Sequence, residues 1–138
     1  MDEIKKFAVV GAGQMGSGIA QVAAQAGLEV ILTDISQQLA DKGKGVVAKG
    51  LDRLVRKEKI DAAQKDQILA RIRPTDNMDP LAEADFAVEA ATENIELKKK
   101  IFANIDQALK QGSVLATNTS SISITLLAAQ TSRPEKVV

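Results

Sequence analysis

Phe7-Ala8-Val9-Val10-Gly11-Ala12-Gly13-Gln14-Met15-Gly16-Ser17-Gly18-Ile19-Ala20 is the stretch that decides the fold. Phe7–Val10 is a short apolar run halted by glycine, the pattern of a strand buried on both faces. Gly11-Ala12-Gly13-Gln14-Met15-Gly16 then reads G-x-G-x-x-G, directly after a strand and at the opening of a helix. In that context each glycine has a job. Gly11 permits a tight turn, Gly13 lets backbone approach a pyrophosphate with no Cβ in the way, and Gly16 lets helix and strand pack closely. The helix start offers free N–H groups and the positive end of its dipole to an anion. The competing possibility is a glycine-rich strand-to-helix turn with no ligand, which three glycines at this spacing would burden with backbone entropy.

Outward from the turn, Gln14 to Ala26 lacks proline and is rich in Ala, Gln and Ile, so it predicts a helix closed by Gly27. Glu29-Val30-Ile31-Leu32-Thr33 is a β-branched strand stopped by Asp34. Strand, turn, helix and strand make a βαβ unit with parallel strands and a right-handed crossover. Asp34 follows Gly16 by 18 residues. A carboxylate there accepts from the hydroxyls of an adenine ribose and repels a 2′-phosphate. Ile35 and Ser36 follow it rather than Arg, which favours NAD over NADP. Asp34 also suits the cap of the next helix, and the two roles are compatible.

Further along, Gln37 to Lys57 predicts a long helix with Val47, Leu51, Leu54 and Val55 on one face. Asp61 reads as the N-cap of a shorter helix to about Ala70, with Ile68 and Leu69 inward. The two form a helical hairpin, about residues 37–70, inserted before the third strand. That strand, Arg71–Thr75, contains Pro74 and so belongs at an edge. Asp85–Ala90 is a fourth strand. Asn94 to Lys110 is an amphipathic helix with Leu97, Ile101, Phe102, Ile105 and Leu109 on one face, capped by Gly112. Ser113–Thr117 is a fifth strand, a short helix follows near Ile124 to Gln130, and Pro134–Val138 looks like a turn entering another strand. The expected architecture is α/β: a Rossmann-type doubly wound parallel sheet with an inserted hairpin. An apolar strand at the last residues suggests a fragment cut at a domain's final strand.

Composition narrows the chemistry. The chain has 138 residues, enough for one domain, with 18 basic and 18 acidic side chains. Zero formal charge excludes nucleic-acid binding driven by bulk charge. Cys, His, Trp and Tyr are all absent, and Phe7, Phe86 and Phe102 are the only aromatic residues. Disulfides, thiol nucleophiles and a His base are therefore excluded, and no metal site is expected. No apolar run is long enough to span a bilayer, and Met1–Lys6 resembles neither a signal nor a transit peptide. A cytoplasmic location, with no membrane partner, is the default.

Charge is uneven all the same. Ser36 to Arg73 carries 10 Lys or Arg against 5 Asp or Glu. Lys49, Arg53 and Lys57 fall at i, i+4 and i+8, opposite the apolar face. Such a patch suits a phosphorylated substrate and equally an ordinary solvated helix face. Glu89 and Glu93 flank the end of the fourth strand, and Asn118-Thr119-Ser120-Ser121 follows the fifth. In an open parallel sheet these ends line the ligand crevice. The small polar side chains can orient a substrate oxygen, or cap the helix that follows. With no His to serve as base, Ser120 is not expected to be an activated nucleophile.

Together the glycine turn, Asp34, Glu89-Ala90-Ala91-Thr92-Glu93-Asn94 with Lys98, and Asn118-Thr119-Ser120-Ser121-Ile122 resemble the L-3-hydroxyacyl-CoA dehydrogenases, most closely the bacterial 3-hydroxybutyryl-CoA type. The resemblance runs the length of the chain. It implies that Gly11, Ala12, Gly13, Gln14, Met15, Gly16 and Asp34 hold NAD, and that Glu93 and Lys98 approach its nicotinamide ribose. It implies that Ser120 hydrogen-bonds the substrate near its reacting oxygen. Lys57, with Arg53 beside it, matches a basic position facing the CoA phosphates; at Gly50 the family commonly carries a polar side chain that is missing here. The family's catalytic His belongs just after Val138, as does the helical C-terminal domain that carries its dimer contact. The short lead before the first strand favours a stand-alone dehydrogenase over an internal domain of a multifunctional protein. The expected activity is hydride transfer between NAD and a short-chain 3-hydroxyacyl-CoA, absent from these residues alone. The alternatives are a non-catalytic dinucleotide-binding module of the same fold, and another β-hydroxyacid dehydrogenase such as the 6-phosphogluconate type.

Overall fold

In the computed structural model, residues 4–91, 94–117, 128 and 130–138 are described. The strands are β1 (Lys6–Val10), β2 (Glu29–Thr33), β3 (Ile72–Thr75), β4 (Phe86–Glu89) and β5 (Val114–Thr117). The helices are α1 (Gln14–Gln25), α2 (Gln37–Arg56), α3 (Ala62–Ala70) and α4 (Ile95–Ala108). All pairings are parallel, in the order β3-β2-β1-β4-β5. The order reverses between β1 and β4, which opens a crevice beyond the strands' C-terminal ends.

Successive residues of β1 alternate between two cores. Ala8 and Val10 join Ile31, Ala87, Leu115, Phe102 and Ile105 on the α4 face. Val9 joins Val30, Leu32, Ala20, Val47 and Leu51 on the α1–α2 face. Burial on both sides explains why the strands read as unbroken apolar runs. Phe7 and Phe86 stack across the β1–β4 pair with ring centroids 5.1 Å apart.

The hairpin stands where the sequence places it, between β2 and β3. Ser36, not Asp34, caps α2, its side chain accepting from the Leu39 N–H. Asp61 caps α3 in a reciprocal capping box with Gln64. β3 lies at the sheet edge, as Pro74 requires.

Three expectations need correction, and one element was not foreseen. Helix α4 ends at Ala108, short of Lys110, and Gly112 (φ +88°) serves the turn into β5 instead of the helix end. The α4 end is closed by buried Arg133, whose guanidinium donates to the carbonyls of Asp106, Leu109, Lys110 and Ser113 and to the Asp106 carboxylate. Leu97 is 49% exposed, so it leaves the core face it was expected to share. A 3₁₀ turn at Asp79–Glu83, unforeseen, plugs the α4 face with buried Leu81. The helix expected near Ile124 to Gln130 lies outside the described residues except for Ala128 and Gln130. Val137 does bridge to Leu115 in parallel, as the turn-then-strand pattern predicts.

Candidate functional site

The site grows from the β1–α1 turn. Gly11 has φ +111°, and a Cβ there would lie 2.8 Å from the backbone of Ala90 and Ala91. A Cβ on Gly16 would overlap the Gly11 carbonyl oxygen. Gly13, by contrast, has nothing within 4 Å of a Cβ position, so its outer side is open to an incoming group. Gly13 is the N-cap of α1 and makes no side-chain cap. Ser36, Asp61 and Asn94 cap α2, α3 and α4 with their side chains. Among these helices only α1 therefore starts with its N–H groups uncapped by a side chain, where an anion is best stabilised. Gln14, Met15 and Gly16 form its first turn.

Asp34 sits just past β2 and faces this turn. Its Oδ2 accepts from the Ala12 N–H at 2.7 Å and its Oδ1 from the Ile35 N–H at 2.7 Å. A carboxylate offers about four acceptor positions, so capacity remains for two hydroxyls. Beside it opens a cavity of about 760 Å³, lined in part by Gly11, Asp34, Ile35, Met78, Leu97 and Ile101. Ile35 is 90% exposed at its mouth. A mostly apolar slot next to an acceptor pair and a free helix start has the chemistry for a base, a ribose and a pyrophosphate. The residues present thus fit a dinucleotide.

The crevice's other half is organised by a buried ion pair. Lys98 is 1% exposed and Glu89 0%, with Lys98 Nζ 2.5 Å from Glu89 Oε1. Glu89 also accepts from the Ala91 N–H at 2.7 Å and the Thr117 hydroxyl at 3.1 Å. One carboxylate at the end of β4 therefore ties down α4, β5 and the connection that packs against Gly11. Lys98 is accordingly buried against Glu89 instead of standing open to solvent. Glu93 and Ser120 lie outside the described residues.

On the hairpin, Arg53 is exposed and lines a shallow groove with Lys49, Asp52 and Arg56. Lys57 is exposed at the C-cap of α2. Asp52 pairs with Lys65, which tempers the local positive charge. Lys49, Arg53 and Arg56 thus follow the last turns of α2 with Lys57 at its C-cap, and none of the four lines the cavity beside Asp34. Sequence reasoning missed Ile35, Met78 and Ile101 as cavity walls and Glu89 as the anchor of Lys98. Apolar walls look like core in a sequence, and nothing in a nine-residue separation marks a strand-to-helix ion pair. Among the described residues no group of three metal-ligating side chains comes together, and no helix is long and apolar enough to cross a membrane.

Residues 6–138 match the family described as 3-hydroxyacyl-CoA dehydrogenase, NAD binding domain. The chain belongs to that family. It is 44% identical over 135 residues to a 3-hydroxybutyryl-CoA dehydrogenase of Bradyrhizobium diazoefficiens, covering 98% of this chain and 46% of that one. It is 42% identical over 136 residues to a fatty acid oxidation complex subunit alpha of Psychrobacter, covering 99% of this chain and 19% of that protein. The crystal structure of (S)-3-hydroxybutyryl-CoA dehydrogenase from Ralstonia eutropha superposes with a TM-score of 0.95 at 48% identity, over 98% of this chain and 48% of that one. The chain spans about half the length of these two 3-hydroxybutyryl-CoA dehydrogenases. As a 3-hydroxyacyl-CoA dehydrogenase NAD-binding domain, it has NAD for its dinucleotide.

Proposed function

We propose that this chain is the cofactor-binding part of an oxidoreductase that interconverts short-chain (3S)-3-hydroxyacyl-CoA and 3-oxoacyl-CoA. The observation that carries it is the uncapped start of α1 at the open Gly13, beside an Asp34 with acceptor capacity left, in a member of this family. NAD, when bound, supplies the hydride acceptor or donor. Gly13, Gln14, Met15 and Gly16 receive the pyrophosphate on backbone N–H groups, Gly11 and Ala12 shape the turn with their own N–H groups bonded to Thr33 and Asp34, and Asp34 accepts from the adenine ribose. Ile35 and Met78 give the adenine its apolar walls. Glu93 serves the nicotinamide ribose, and Lys98 fixes the strand-to-helix connection in which Glu93 lies. Ser120 orients the substrate oxygen through a hydrogen bond. Arg53 and Lys57 attract the phosphates of CoA.

The proton of the substrate hydroxyl needs a base, a contribution worth roughly 10²–10⁴ in rate. No His exists in these 138 residues. The acid/base group of the working enzyme therefore belongs to polypeptide outside them, as does the dimer contact that the family resemblance implies, and its setting is the cytoplasm. Calorimetry and an NADH absorbance assay test both halves of the proposal. The expected result is binding of NAD in preference to NADP, with no oxidation of 3-hydroxybutyryl-CoA by this chain alone. Preference for NADP would overturn the role of Asp34. Turnover within about tenfold of a full-length relative would place the base inside these residues.

A further inference from the structure

We propose that Gly43, on the α2 side facing α1, is a positioning residue for the phosphate-binding turn. It is buried, and a Cβ built on it would lie 2.7 Å from Ala12 Cβ, 2.8 Å from the Ala12 carbonyl oxygen and 3.1 Å from Ser17 Oγ. At the two shorter distances something must shift. A flexible side-chain tip would yield, but Ala12 is held on every side. Its N–H donates to Asp34 Oδ2 at 2.7 Å, and its carbonyl accepts from the hydroxyl of fully buried Ser17 at 3.1 Å. The preceding Gly11 N–H donates to the Thr33 carbonyl at 2.8 Å. Even one methyl group on α2 therefore pushes the Gly11-Ala12-Gly13 backbone out of register and strains its bond to Asp34.

The same helix supplies the contrast. Gly45 lies two residues on, and a Cβ there would meet nothing within 4 Å. Gly50 would meet the tip of the Gln21 side chain, which can swing aside. Glycine is a poorer helix former than alanine, so Gly43→Ala and Gly45→Ala both favour α2 locally. They differ in what the new methyl touches. Of the three, only Gly43 presses on backbone that receives the dinucleotide.

The inference rests on NAD occupying the crevice as proposed, so the test reads one property that needs no ligand. Amide hydrogen exchange of Ala12 and calorimetric NAD binding are measured for the unmodified chain, Gly43→Ala, Gly45→Ala and Gly43→Ala with Ala12→Gly. The expected result is faster Ala12 exchange and an NAD Kd raised at least about tenfold in Gly43→Ala, the size an overpacked methyl produces. Gly45→Ala matches the unmodified chain in both readouts. Removing the Ala12 methyl as well recovers part of the affinity. If Gly43→Ala fails to fold, the double variant is compared with Ala12→Gly alone, and the double variant binds more weakly. An unchanged Ala12 amide with unchanged affinity in Gly43→Ala, or equal affinities in the second comparison, overturns the proposal. If the unmodified chain binds no NAD, the cofactor assignment falls instead, and Ala12 exchange alone decides the role of Gly43.

Discussion

At the residue scale the Glu89–Lys98 pair is the most exacting feature. Two opposite charges without solvent are tolerable only because each completes the other and the carboxylate collects further donors. Removing one partner strands the other. Glu89→Gln is expected to lower unfolding free energy by roughly 3–5 kcal/mol, whereas Glu89→Gln with Lys98→Met recovers most of it. Urea denaturation of the three proteins checks this. A single variant as stable as the parent would mean that Lys98 finds another acceptor. The pair also shows what a sequence conceals. Asp34 was legible because its distance from the glycine turn is set by one helix and one strand. Glu89 meets Lys98 only because α4 folds back over β4, and that return is a tertiary event.

At the element scale, local chemistry set most boundaries. Asp61 with Gln64, and Asn94 with the Leu97 N–H, start α3 and α4 where those caps stand in the chain. Pro74 put β3 at an edge. The errors came where a distant residue ended an element: Arg133 closes α4 from 24 residues beyond Leu109, which no window around Gly112 could reveal. The Asp79–Glu83 turn was lost because five residues carry too little periodicity to stand out. The hairpin was legible as two helices, but the function proposed for it rests on charges whose usefulness depends on a partner. If Arg53 and Lys57 meet CoA phosphates, CoA affinity in the intact enzyme should fall as salt rises. Lys57→Ala should raise the acyl-CoA KM and leave the NAD Kd unchanged. Steady-state kinetics at two ionic strengths, beside NAD titrations, measure both. Equal loss for the two ligands would assign Lys57 to packing.

For the molecule as a whole, acid is the informative stress. Asp85 accepts from Lys110 Nζ and from the Lys5 and Lys6 N–H groups, which hold its carboxyl at about 2, below its usual 3.8. It clips the start of β1 to the residues around α4 and β4. Burial works to raise Asp106, but the Ser132 N–H, the Arg133 guanidinium and the Ser132 hydroxyl together keep it below its usual value. Both are depressed in the folded state, so their stabilisation is complete above the unfolded carboxylate range and disappears as pH falls through the folded value. For Asp85 that window runs from about 4 down to about 2. Thermal melts from pH 5 to 2 should show a steeper loss for the parent than for Asp85→Asn, which starts less stable and lacks this component. Parallel curves would remove Asp85 from the account.

The outer flank of α1 carries a different implication. Phe7, Met15, Ile19, Val22 and Leu28 line an apolar cleft of about 760 Å³, and Val22 is 68% exposed. The chain also has no formal net charge, with an isoelectric point near 6.3. A greasy furrow on a molecule with little charge to hold copies apart is a recipe for colloidal attraction. With no His, Cys or Tyr, only the terminal amine titrates between about pH 6 and 9. In concentrated solution the protein should therefore be about as sticky at pH 8 as at pH 6.3, and light scattering across that range checks it. Crystallisation, storage and any spectroscopic titration of this chain will depend on that furrow as much as on the crevice across the turn.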